Sequence, residues 1–155
     1  MLPFDPSDLR AIQVAFREAA TPDPSHLAGR HEATFLGPWR LRGTAPWFMA
    51  ATGMPRWWGK AFEEPDTDGR LAGANLLRRK GALREVVPMS AGLETSPVDG
   101  RTDLVVRYPD SAPWPWRGVT DHFRPIGDGV LLGLSFGIPM TPSAGAPFVL
   151  RRVGT

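Results

Sequence analysis

With 155 residues, eighteen Lys/Arg against sixteen Asp/Glu and no cysteine, the chain is sized for one domain and excludes disulfides and thiolate chemistry. The net charge of +2 is dispersed among both signs, which leaves no nucleic-acid footprint, and no run approaches the roughly 18 apolar residues of a membrane span. Seventeen prolines and seventeen glycines, spread along the chain, argue against a helical bundle and for many short strands joined by turns.

Asp5-Pro6-Ser7-Asp8 has the capping side chains, early proline and negative charge of a helix start. Leu9, Ile12, Phe16 and Ala19 follow at helical spacing, so residues 1–26 are expected to form an N-terminal helix and a Pro-rich linker. From residue 27 to 155 a single β-barrel domain is predicted. Residues 31–36 and 39–42 read as extended, split by Gly37-Pro38, and 45–54 as a short capping helix. Strands are then expected over 57–62, 72–79, 83–95, 103–108, 116–124, 130–138 and 148–152. Turns at Asp99-Gly100 and Gly127-Asp128-Gly129 mark hairpins. The fold class is therefore mainly β: an antiparallel barrel of about eight strands, just wide enough to hold one ligand. Nothing resembles a secretory leader, and a cytoplasmic location is the expectation.

Six tryptophans are the main compositional anomaly, since their flat faces serve cores and ligand pockets alike. Trp39, Trp57, Trp58 and Trp116 are expected to line a cavity, with Lys60, Asn75, Tyr108 and Thr120 as its polar contacts. Lys60 is placed on one face with Trp58. Leu104, Val106 and Tyr108 share a face, as do Val119, Asp121 and Phe123. The third histidine, His122, alternates with Thr120 and Arg124. If that face points inward, His122 and Arg124 form a catalytic pair, an acid/base beside an anion-holding cation. His26 falls in a loop, and His31 and Glu32 point to opposite faces, so no metal site is called for. Haem through His122 has only a lone histidine behind it, and no cofactor is expected. The tight basic run Arg78-Arg79-Lys80 reads as a solvated strand end.

Gly37-Pro38-Trp39-Arg40-Leu41, Trp57-Trp58-Gly59-Lys60-Ala61-Phe62, and Asp121-His122-Phe123-Arg124 with Leu131-Leu132-Gly133 resemble, in this order, segments of an uncharacterised bacterial family with GXWXG and DUF4334 regions. Leu41 replaces the signature's second glycine. The resemblance spans residues 27–152 and implies a calycin-like, lipocalin-like barrel, with no activity attached. The expected function is binding of a small hydrophobic or aromatic molecule. The alternatives are a cyclase or isomerase using shape plus His/Arg acid–base or anion chemistry, and a protein-interaction module.

Overall fold

The computed structural model describes residues 1–154. Eight strands follow one another around a closed antiparallel barrel: β1 (Gly29–Phe35), β2 (Trp57–Phe62), β3 (Leu71–Arg79), β4 (Ala82–Thr95), β5 (Thr102–Arg107), β6 (Thr120–Gly127), β7 (Val130–Phe136) and β8 (Ala146–Arg152). Closure runs through β1 and β8, which pair from His31 opposite Arg152 to Phe35 opposite Phe148. Every strand thereby finds two neighbours, as the Gly- and Pro-punctuated sequence leads one to expect. No helix among the described residues is long and apolar enough to cross a membrane.

Helix α1 (Leu9–Glu18) starts where Asp8 accepts a hydrogen bond from the Arg10 amide. It lays Ile12 and Phe16 on Leu132, Leu134 and Val149, outward-facing residues of β7 and β8. Arg101 binds the Arg17 and Ala19 carbonyls, satisfying acceptors that the helix end leaves open. The β5–β7 wall is therefore buried on both faces.

Helix α2 (Trp39–Ala51) begins earlier than expected and absorbs the segment 39–42 that reads as extended. Gly43 and Pro46 within it oppose helix formation, and its apolar residues do not gather on one stripe, so the local signal is weak. Gly37, at φ +100°, makes the turn into it; a Cβ there would meet Leu41 at 3.0 Å. The expected strand over 116–124 also divides, because Trp116–Gly118 is a 3-10 turn and the strand starts at Thr120.

Connections in such a meander alternate between the two barrel ends. Those joining β1–β2, β3–β4, β5–β6 and β7–β8 share one end, here called the mouth. The opposite half is filled by Leu27, Leu71, Leu104, Leu131 and Leu150, each at most 2% exposed. Gly133 belongs to this packing, since the ring edges of Phe123 and Phe148 take the space a Cβ would need.

Candidate functional site

The mouth half holds a cavity of about 340 Å³. Its roof comes from α2 through Leu41, Phe48 and Met49, with residues 138–141 of the β7–β8 connection. Its walls are aromatic. Phe48, Trp116 and Tyr108 pack in sequence at ring separations of 6.4 and 5.9 Å. Phe35, Trp57 and Phe148 form a second run at 5.4 and 6.0 Å. Trp116 donates its Nε1 proton to the Thr52 carbonyl at 2.9 Å, tying the wall to the end of α2.

The floor is polar and buried. Lys60 Nζ lies 3.0 Å from Asp121 Oδ2 and donates to Tyr108 Oη at 3.0 Å and to Asn75 Oδ1 at 3.1 Å. The Asn75 oxygen also accepts from Trp57 Nε1 at 3.1 Å, while its Nδ2 donates to Tyr108 Oη at 3.2 Å and to the Val87 carbonyl at 3.3 Å. Ser135 donates to Asp121 Oδ1. The amide orientation of Asn75 is thus fixed by four partners.

Two irregularities in the sheet build this floor. In β2 the register shifts between Trp57 and Gly59, so Trp57 and Lys60 both reach the interior although simple alternation sets them on opposite faces. Trp58 turns away from the cavity and meets the Arg78 guanidinium, 5.8 Å from its ring. In the β3–β4 pairing the shift at Ala74/Asn75 leaves Val87 as the extra residue, at φ +49°, and its carbonyl faces Asn75.

Burial opposes the Lys60 charge, but the Asp121 carboxylate and the Tyr108 hydroxyl outweigh it and hold the ammonium above the ordinary lysine value. Burial raises Tyr108, against the neighbouring Lys60 charge, which lowers it. The floor therefore carries one positive and one negative charge that cancel. Two donors point at Tyr108 Oη, so its own proton is directed away from both.

Of the residues expected at a ligand site, Trp57, Lys60, Tyr108 and Trp116 line the cavity and Asn75 braces them from below. Trp39 stands 72% exposed on α2, and Trp58 and Thr120 lie off the cavity. Asp121 and Ser135, absent from the expected contacts, are in it. Asp121 had a signal: it shares the inward face with Phe123, which alternation alone could not choose over the other.

The β6 face that carries Thr120, His122 and Arg124 is the outward one. Arg124 is fully buried, but beneath α1: it donates to Asp103 at 2.6 Å, to both Asp99 oxygens at 2.6 and 2.8 Å, and to the Phe16 carbonyl at 3.0 Å. His122 Nδ1 sits 3.1 Å from Asp103, and Nε2 sits 3.2 Å from the Thr120 hydroxyl. The Arg124 hydrogen bonds push Asp99 down to about 2. This chain of charges anchors a helix and does not face the cavity, so the His122/Arg124 pair is a clasp where a catalytic pair was expected. Helix α1 causes the misreading, by burying the outer face as completely as the inner. His31 points inward at the far end, with neither ring nitrogen hydrogen-bonded; burial, and then Arg152, lower it to about 4. No group of three His, Cys, Asp or Glu side chains among the described residues could hold a metal ion.

No family model and no curated protein matches the chain. Among solved structures it is similar to a protein from Thermomonospora curvata, with a TM-score of 0.68 and 18% identity over 95% of this chain and 88% of that one. At that identity the likeness speaks for the fold.

Proposed function

We propose that the chain binds a small, uncharged, largely apolar molecule carrying a hydrogen-bond-accepting oxygen. The observation that carries this reading is Tyr108, which lines the cavity and whose hydroxyl accepts from Lys60 and Asn75, so that its own proton is left for a further acceptor. The neighbouring ammonium makes that hydroxyl a better donor to a carbonyl or ether oxygen. A charged ligand is disfavoured because Lys60 and Asp121, both buried, already neutralise each other. Aromatic walls supply the remaining affinity through burial of flat apolar surface. Membership of the family with GXWXG and DUF4334 regions belongs to the same proposal. Two of the resembling segments supply Lys60 and Asp121, and the first supplies the glycine that turns the chain into the roof helix.

The alternative of a cyclase or isomerase loses its expected carriers, since His122 and Arg124 lie outside the barrel wall. In that reading Tyr108, backed by Lys60, is the group left to stabilise a developing oxyanion.

The test is a fluorescence titration with naphthalene and with 2-acetylnaphthalene. The ketone should bind roughly 3–15-fold tighter than the hydrocarbon, the span of one hydrogen bond. Tyr108→Phe should abolish the difference and leave hydrocarbon binding intact. Equal affinities for the two probes in the parent protein overturn the assignment to Tyr108, and no binding of either overturns the cavity as a ligand site.

A further inference from the structure

The most exposed tryptophans gather at one end. Trp39 (72% exposed) and Trp47 (73%) stand on α2, Trp114 (64%) on the β5–β6 connection, and Met140 (97%) on the β7–β8 connection, all around the mouth. Three large aromatic side chains left in water around an opening are unlike the singly scattered apolar residues of an ordinary surface. Tryptophan, with an apolar ring and a polar N–H, is the side chain that settles at a membrane–water interface.

Charge is sorted along the same axis. The mouth connections carry Arg40, Arg42, Arg56, Lys80 and Arg117, all exposed, against the single acid Asp110. Arg78 and Arg79 precede Lys80 at the end of β3, so the basic run that reads as a strand end belongs to this face. The N-terminal segment brings one further acid near, Asp5, which feels Arg42. At the far end the β2–β3 connection carries Glu63, Glu64, Asp66 and Asp68 against Arg70. Arg30, Arg101, Arg151 and Arg152 also lie at that end and largely offset these acids, so the excess of cations in a chain of net charge +2 is concentrated at the mouth. A groove beside the mouth, lined by Arg56, Trp58, Arg78 and Lys80, sets cations along an aromatic wall at a size that admits a phosphate headgroup.

We propose that the mouth face docks on an anionic lipid surface, with Trp39, Trp47 and Trp114 at the interface and the arginines and Lys80 on headgroup phosphates. A bilayer accommodates a ring of tryptophans around an opening, whereas an acidic protein partner would satisfy the cations and span an open cavity. The exposed acids of the β2–β3 connection then face away from the negatively charged lipid. Docking rests on exposed groups and is independent of what fills the cavity.

The full-length protein is sedimented with phosphatidylcholine vesicles that contain or lack phosphatidylglycerol. It should partition onto the anionic vesicles and come off as salt rises. Arg40→Glu/Arg42→Glu should weaken partitioning by about fivefold or more for each cation lost. Trp39→Ala/Trp114→Ala should weaken it by roughly tenfold, through lost interfacial area. Neither pair lines the cavity, and unchanged circular dichroism checks the fold. The far-end variant Glu64→Lys/Asp66→Lys should bind anionic vesicles no better than the parent. The proposal is overturned by absence of partitioning, by partitioning indifferent to both mouth variants, by equal gain from the far-end variant, or by self-association through the tryptophans in sedimentation velocity without lipid.

Discussion

The Lys60–Asp121 pair offers the sharpest test of how the cavity floor is held. Asp121→Ala leaves an ammonium that is 2% exposed with Asn75, Tyr108 and the Met89 sulfur, all neutral, as its hydrogen-bond partners. Breaking a buried pair by removing one member costs about 3–5 kcal/mol, because the remaining charge is uncompensated. In a chain of this size each kcal/mol lowers Tm by about 2–4 °C, so the variant should melt roughly 6–20 °C below the parent. Replacing both partners, Lys60→Met/Asp121→Leu, removes the charges together and should recover at least half of the loss. The pH dependence adds a second signature. In the parent, Lys60 is held above its ordinary value of 10.5, so its contribution is complete below that pH and fades as pH rises through the raised value. In Asp121→Ala burial acts without the carboxylate and lowers the lysine. The variant's deficit should then shrink between neutral pH and 10.5, as the folded lysine gives up its proton. Urea unfolding followed by tryptophan fluorescence measures all three proteins. A double variant no more stable than Asp121→Ala, or a deficit flat with pH, would refute the reasoning.

His31 should produce an acid limb. Its value of about 4 lies below the ordinary 6.5, so the stability it contributes is complete above 6.5 and is lost as pH falls toward 4, amounting to about 3 kcal/mol. His31→Leu should flatten that limb in thermal melts and cost nothing at neutral pH, where two unsatisfied ring nitrogens disappear; an unchanged limb rules His31 out as its source. Arg124→Ala strips Asp103 and Asp99 of their shared cation and should cost about 3–5 kcal/mol, with faster hydrogen exchange in α1 and unaltered 2-acetylnaphthalene affinity. A loss of affinity without a loss of stability would return Arg124 to the ligand site.

Much of the barrel can be read from local chemistry. The spacing of Leu9, Ile12 and Phe16 and the Asp8 cap specify α1, and alternation in 103–108 sends Leu104, Val106 and Tyr108 inward as observed. Alternation fails where both faces are buried. In β6 the run from Asp121 to Arg124 is covered inside by the core and outside by α1, so sequence offers two equivalent faces and only tertiary packing distinguishes them. It fails again at the β2 bulge, where one extra residue brings Trp57 beside Lys60 and sends Trp58 out. The roof helix is hidden by its own glycine and proline, and it persists because the barrel beneath gives Met49 and Phe48 a surface to cover.

The cavity is blind. Among the described residues, leucines fill the barrel behind the polar floor, and the cavity lies on the mouth side beneath α2 and the 138–141 segment. A newcomer has no back door through which to push a resident molecule, so exchange is strictly sequential: departure first, then entry. At saturating competitor the observed exchange rate therefore levels off at the dissociation rate of the resident, however strongly the competitor binds.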